Sequence, residues 1–471
     1  MSHSRRDFLR TTACALGSFA LASQMDHFGV VHALTPQTAS DYKALVMVFL
    51  NGGNDGNQMF LDLNQYSTYA GTGPLSRSGA QLAIPQANFL QVSPVSGGSF
   101  GFHPNMPEIQ TLFNQGKCAV LCNNGPLVEP LTKAQFQGSG KKPLQLFSHS
   151  DQVNQYSSSI ANSVSQTGWG GRLADKTLGL NGGASFPNNV SIAGVNLYLT
   201  GVDTRQLAVA DSGTALGNVL ILNNAPGATT AEANSRLTSF NQLRGFDNNY
   251  KLIKAASDTR TSAIATDNAL SSVSPILATV FPNTSIGRQL KQVALLVKAC
   301  TDPNAGINMK RQIFFTQIGG FDTHSQQLST QGSLMTQISQ AINAFYMAIT
   351  ELNVQDNVTL FTMSDFSRTL QPSGTGATDV GSDHAWGNNH LIVGGAVQGH
   401  TLYGTYPNLA PGGPNDTDNT GTNARGRWIP TTSVEQYAAT LASWYGLSSA
   451  DLTAVFPLIG RFATPTLGFM S

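Results

Sequence analysis

Aspartate and histidine collect where three apolar runs of this chain stop. Ala44 to Leu50 leads into Asn51-Gly52-Gly53-Asn54-Asp55-Gly56, Gln312 to Ile318 into Gly319-Gly320-Phe321-Asp322-Thr323-His324, and Val358 to Met363 into Ser364-Asp365. Asp383-His384 and His390 follow closely. Carboxylates and imidazoles gathered in one crevice repel one another unless a cation lies among them, so the chemistry these residue types favour is divalent metal binding. The candidate ligands are Asp55, Asp322, His324, Asp365, Asp383, His384 and His390. Asp322 and His324 are two apart and face the same way in extended chain, so both can reach one ion. Asp383 and His384 are adjacent; they could divide between two ions, or one could orient the other. Such a donor set suits zinc, manganese or iron and, with carbonyl oxygens, calcium. The competing account of the cluster is a hydrogen-bonded structural network.

Other groups could act beside an ion. Ser148-His149-Ser150-Asp151 follows an apolar approach, and Ser with Asp three residues later marks a helix start, so Ser148 is either a plain cap or a nucleophile whose hydroxyl a metal activates. Arg368 and Arg172 could each clamp an anionic ester oxygen, or serve packing. Three further strings fail their own requirements. Glycines 52, 53 and 56 do not make a dinucleotide fingerprint, and Asp55 would repel a pyrophosphate. Gln135 and Lys142 stand where a P-loop needs glycine and Ser/Thr. Gly97-Gly98-Ser99-Phe100-Gly101 sits among prolines rather than between a strand and a helix, which makes it a glycine-rich turn.

To bring these side chains together the apolar runs must be parallel strands, because open α/β sheets gather their ligands at the carboxyl ends of such strands. The run at 312 to 318, a helix over 325 to 352 with apolar positions Leu334, Ile338, Ile342, Phe345 and Ile349, and the run at 358 to 363 form a βαβ unit. This puts Asp322 and Asp365 at one sheet edge. Further strands are predicted at 118 to 122, 190 to 199, 219 to 222 and 391 to 397, with helices at 105 to 115, from about 230 to 299, and at 434 to 445. The expected fold is α/β, a mixed and mostly parallel sheet between helices. Residues 34–169 and 301–471 would make the core, and 170–300, richer in Asn, Ser, Ala and Thr, an inserted cap. Pro411 to Gly426 reads as a polar loop without calcium-hand spacing.

The amino terminus carries Arg5-Arg6-Asp7-Phe8-Leu9, an apolar stretch to Ala22 and a small-residue site near Ala33. That order predicts a twin-arginine leader over 1–33, export in the folded state through the Tat translocase, and a periplasmic or secreted product. No other stretch reaches the roughly 18 uninterrupted apolar residues of a membrane span, so no stable membrane insertion is expected. Net charge is +0 and charged residues make up 11%, which leaves no basic face for a nucleic acid backbone. Cys118 and Cys122 would share a strand face about 13 Å apart, too far for a disulfide, and are read as buried structural thiols.

Taken in order, Phe49-Leu50-Asn51-Gly52-Gly53-Asn54-Asp55-Gly56, His103-Pro104, Ser148-His149, Thr167-Gly168-Trp169-Gly170-Gly171-Arg172, Gly320-Phe321-Asp322-Thr323-His324, Ser364-Asp365-Phe366-Ser367-Arg368 and Asp383-His384-Ala385-Trp386-Gly387-Asn388-Asn389-His390 resemble a bacterial family of unknown function in the alkaline phosphatase and sulfatase superfamily. The resemblance implies two metals at strand ends and a nucleophile at a helix start. By motif, Asp55 looks like the first-strand acid, Asp322 and His324 like one metal's ligands, Asp365 with His384 or His390 like the rest, and Ser148 like the nucleophile. Asp-x-His replaces the usual Asp-x-x-x-His, and Phe366 stands where a histidine is usual, so one metal is missing or His384 substitutes. The implied activity is hydrolysis of phosphate or sulfate esters, with an anionic small-molecule or polymer ester as substrate. The alternative is a non-catalytic secreted binding or assembly protein that keeps a structural metal.

Overall fold

A computed structural model describes residues 39–184, 186–213, 230–245, 250, 253–254, 257, 276–302, 307–375, 380–421 and 423–471. The expected leader at 1–33 and strand at 219–222 lie outside the described residues.

The central element is a nine-stranded sheet. Its strands are β1 (Lys43–Leu50), β5 (Cys118–Gly125), β6 (Asn189–Ser191), β7 (Gln206–Ala208), β8 (Arg311–Ile318), β9 (Val358–Ser364), β12 (Asn388–Val393), β13 (Leu402–Gly404) and β14 (Thr432–Ser433). They run β13-β5-β12-β9-β1-β8-β6-β7, with β14 beside β5. β12 alone is antiparallel to its neighbours β5 and β9; the remaining pairs are parallel. This is the mixed, mostly parallel sheet between helices that the strand pattern predicts. Outside it, β2 (Phe60–Asp62), β3 (Leu90–Val92) and β4 (Phe100–Phe102) form a small sheet, and β10 (Arg368–Pro372) pairs with β11 (Ser382–His384).

Both faces of the sheet are covered, which is why its strands are continuous apolar runs rather than alternating ones. Along β1, Ala44, Val46, Val48 and Leu50 join one core cluster, and Leu45, Met47 and Phe49 the other. The first face packs against helices Pro107–Asn114, Ser285–Thr301 and Gln327–Glu351, the second against Trp169–Thr177 and Val434–Tyr445. The last of these opens on a capping box, Ser433 with Gln436, and stops at Gly446. Cys118, Cys122 and Cys300 are buried and unpaired. No helix among the described residues is long and apolar enough to cross a membrane.

The expected cap over 170–300 departs from this arrangement at both ends. β6 extends the sheet beside β8, and Ser285–Thr301 places Leu290, Val293 and Val297 in the main core. Apolar patterning commits these parts to the core, although their surroundings are compositionally polar. The loop at 411–426 is also organised from within: Asp416 is buried and accepts the backbone N–H groups of Gly412, Asp418, Gly426 and Arg427. That oxygen pair is committed to the backbone. Lys133 adds its ammonium to the carbonyls of Gly412, Gly413 and Asp418.

Register positions the site. Leu50 pairs with Ile318 on one side and with Ser364 on the other, so β1, β8 and β9 end level and release their loops at one height. Gly52 and Gly53, at φ +113° and +83°, let these loops touch. A Cβ on Gly52 would lie 2.5 Å from the Asp322 nitrogen, and one on Gly53 2.5 Å from the Phe366 ring.

The β1 loop is anchored by an ion pair deep inside the protein, between Arg77 Nη2 and Asp55 Oδ2 at 2.7 Å, both side chains fully buried. Removing one partner strands the other charge, so Asp55→Ala is expected to destabilise the fold by about 3–5 kcal/mol in urea unfolding. An Asp55→Ala/Arg77→Met double variant should recover part of that loss. A second buried acid, Glu435, has its pKa pushed up to about 8 by burial, opposed by the Leu458 amide and by Arg172 and Arg461. Its neutral form is the one the fold prefers. This contribution is therefore complete below the ordinary value of 4.5 and disappears as pH rises through about 8. Glu435→Gln should remove that part of the fall in stability with pH, measured by thermal melts across the window.

Candidate metal centre

Three imidazoles and one carboxylate meet above the ends of β1, β8 and β9. His149 enters from the first turn of helix His149–Ser158, Asp322 and His324 from the loop after β8, and His384 from β11, whose register sets it opposite Arg368. β12 runs antiparallel, so its first residue lies at the carboxyl edge of its neighbours and delivers the preceding segment, with His384, to that edge.

One oxygen is the common point. Asp322 Oδ1 is 3.5 Å from His149 Nε2, 3.1 Å from His324 Nε2 and 3.4 Å from His384 Nε2. His324 Nε2 and His384 Nε2 are 3.0 Å apart. The ligand atoms of His149, Asp322 and His384 all lie within 4.8 Å of one another. Bonds of about 2.0–2.1 Å at tetrahedral angles put ligand atoms roughly 3.3 Å apart, so these separations fit a single small cation.

The outer nitrogens are tied. His149 Nδ1 is 2.7 Å from Asp365 Oδ2, His384 Nδ1 is 2.8 Å from the Phe147 carbonyl, and His324 Nδ1 is 3.4 Å from Asp383 Oδ1. A carbonyl only accepts, so His384 carries its proton on Nδ1 and turns a bare Nε2 inward. The Asp365 carboxylate sets the same tautomer for neutral His149, whose Nε2 is buried without a hydrogen-bond partner. Imidazoles held from behind by carboxylates and carbonyls are the usual arrangement of histidine metal ligands.

Charge is graded across the cluster. The Asp365 hydrogen bond raises the His149 pKa above its ordinary value, against the pull of burial. Burial lowers that of His384, with the Phe147 carbonyl opposing. Burial would raise Asp322, but the hydrogen bond and charge of Arg368 bring its carboxyl below the ordinary range. Phe366 forms the floor, its ring centre 4.6 Å from that of His149 and 4.5 Å from that of His384.

The structure therefore sorts the predicted site residues. Asp322, His324 and His384 come together. Asp365 and Asp383 stand one step outside and hold imidazoles instead of facing the centre; Asp365 Oδ1 accepts from the Gly52 amide, and Asp383 Oδ2 from Arg425. Asp55 does not join: Oδ2 binds Arg77 and Gln327, and Oδ1 accepts the amides of Asn57 and Gln58. His390 is also elsewhere, fully buried with its Nε2 3.5 Å from the Tyr156 hydroxyl, and burial pushes its pKa down to about 3. Arg368 is wholly buried, its guanidinium occupied by the carbonyls of Gly52, Gly53 and Ser382 and by Asp322 at 2.6 Å, so it braces the cluster. Arg172 likewise binds the carbonyls of Ser158, Thr167 and Val455. Ser148 is the N-cap residue, yet its hydroxyl donates to Asp151 Oδ2 at 2.5 Å rather than capping an amide. Sequence reasoning passed over His149. Its signal was adjacency to Ser148 at a helix start.

Fold and site together describe an α/β protein with an Asp/His cluster at the carboxyl edge of its sheet. Residues 306–420 match a family model described as a protein of unknown function (DUF1501), a stretch that contains Asp322, His324 and His384 but not His149. No curated protein matches the chain. Among solved structures the chain is similar to Ps i-CgsB in complex with k-i-k-neocarrahexaose, with 9% identity over 88% of this chain and 74% of that one, TM-score 0.30. It is similar to a sulfatase from Pseudoalteromonas sp., with 10% identity over 84% and 71%, TM-score 0.27. It is also similar to alkaline phosphatase from the Antarctic bacterium TAB5, with 8% identity over 77% and 94%, TM-score 0.26.

Loss of an outer partner lowers metal affinity about 10–100-fold. In a competition titration with a divalent cation, Asp365→Asn is expected to bind that much more weakly than the native protein, with the melting temperature of the metal-free protein changed far less than by Asp55→Ala.

Proposed function

We propose that this chain is an exported metal-dependent hydrolase of phosphate or sulfate esters, its cation held by His149, His384 and Asp322, with His324 beside them. The observation that carries this reading is His149: one nitrogen fixed on Asp365, the other buried, without a partner, and turned toward two more imidazoles and a carboxylate. A divalent ion bound there supplies Lewis-acid polarisation of an ester oxygen. Zinc suits this donor type, since the two imidazole nitrogens of His149 and His384 and the Asp322 oxygen, all within 4.8 Å of one another, are the three-ligand set of its catalytic sites.

The chain's own groups do the rest. Arg368 fixes Asp322 from behind, and Phe147 and Asp365 fix the rings of His384 and His149. Ser148 lies between Phe147 and His149, and its Oγ donates to Asp151 Oδ2. In this reading Asp151 takes the hydroxyl proton as Ser148 Oγ bonds to phosphorus or sulfur and the bond to the ester oxygen breaks, and it passes that proton to the departing oxygen so that a neutral alcohol leaves. Water then attacks phosphorus or sulfur, the bond to Ser148 Oγ breaks, and one proton of the water returns to that oxygen as phosphate or sulfate is released. Export rests on the arginine pair and apolar stretch of the leader.

A non-catalytic protein with a structural cation is the second reading. It is favoured by the engagement of the acids that would hold a second ion: Asp55 with Arg77, Asp365 with Gly52 and His149, Asp383 with Arg425. Metal analysis with a panel of phosphomonoester, phosphodiester and sulfate ester substrates separates the two. Bound metal with turnover that His149→Ala reduces at least 100-fold, the fold intact, supports the hydrolase; bound metal without turnover on any ester selects the structural reading.

A further inference from the structure

Among the described residues, no carboxylate is in contact with the guanidinium of Arg427, beside the cluster. Arg427 lays its guanidinium over the Phe147 ring, 4.5 Å from the ring centre. Its backbone is held in the loop organised by Asp416, which accepts its N–H, while the Thr417 N–H bonds to its carbonyl. Its Nε is buried and has no hydrogen-bond partner. The nearby acids are otherwise occupied: Asp383 pairs with Arg425, and Asp416 with backbone amides. Burial lowers the Arg427 pKa, opposed by Asp418, Asp383 and Asp416 acting through space.

Phe147 connects this guanidinium to the centre. It sits at φ +72°, a conformation costly for a bulky L-residue, and from it the carbonyl reaches His384 while the ring supports Arg427. Lys142 repeats the motif on Phe136, 4.9 Å from that ring, and Phe136 and Phe147 pack into the same apolar cluster around Trp386. Lys133 and Arg425 nearby are engaged with carbonyls and Asp383, whereas among the described residues the Arg427 guanidinium has neither an ion pair nor a side-chain hydrogen bond. A guanidinium with free N–H groups presents a fork that fits two oxygens of one oxyanion.

We propose that Arg427, seated on Phe147, binds a second anionic group of the substrate, outside the ester that reacts, so that the preferred substrates are multiply charged phosphate or sulfate esters. The role lies outside the reacting group because Arg368, not Arg427, is the guanidinium bonded to Asp322, and Phe147 stands between Arg427 and His384. This rests on the hydrolase reading, yet its test does not require turnover. Calorimetry with sucrose octasulfate, on the metal-free and the zinc-loaded protein, reads the subsite directly.

Arg427→Met should weaken octasulfate binding at least tenfold and reduce its salt dependence, with zinc affinity and melting temperature unchanged. Arg427→Lys, which keeps the charge and loses the fork, should fall between. With multiply sulfated esters Arg427→Met should raise KM and leave kcat, whereas a singly charged aryl ester should be indifferent. Octasulfate binding within twofold of the native protein in Arg427→Met overturns the proposal, whatever the enzyme does with esters. Arg427-dependent binding in a protein that hydrolyses no ester upholds the subsite and rejects the hydrolase.

Discussion

Asp365 accepts from His149 with one oxygen and from the Gly52 amide with the other, and through those two bonds the end of β9 sets the position of a helix and of the β1 loop at once. The remaining geometry of the centre follows from that carboxylate. With its outer nitrogen fixed, His149 can turn only one face inward, and Asp322 lies within reach because Gly52 allows the β8 loop to close against the β1 loop. Strand register does the coarse placement; hydrogen bonds to outer nitrogens do the fine placement.

The acids of this edge divide by burial into two kinds. Asp55 is sealed from water and matched to Arg77, so its charge belongs to the fold. Asp322 is about half exposed at its side chain and is approached by one guanidinium and three imidazoles, so its charge faces the crevice. Both follow a strand and lie beside glycines. What separates them is the partner each receives from elsewhere in the chain.

That difference explains how far the sequence could be read. Apolar runs and helical spacing mark β1, β8, β9 and the helix between β8 and β9 well, because these are local patterns whose burial is nearly complete. Asp322, His324 and His384 were legible for the same reason, each following from a strand end or its close neighbour. Arg77, which claims Asp55, lies in a stretch with no distinguishing pattern, and Tyr156 and Tyr437, which enclose His390, come from distant helices. The roles of Asp365 and Asp383 as supports for imidazoles depend on angles between loops, which residue type does not encode. His149 was hidden by its neighbour: a serine before an Asp reads as a cap, and the ring beside it carries no periodic signal. The polar composition of 170–300 misled in the same way, since three residues of β6 suffice to continue a sheet.

Cys118, Cys122 and Cys300 are shut inside the core, where burial pushes all three thiols toward their unreactive protonated form, Cys300 to about 12. While the protein stays folded, oxidants meet none of these three as thiolates. Once it opens in an oxidising medium that protection vanishes, and these three thiols cannot all pair with one another, so cross-linking between chains competes with return. For a protein in such surroundings, lifetime would then be governed by how rarely it opens rather than by the balance between open and closed forms.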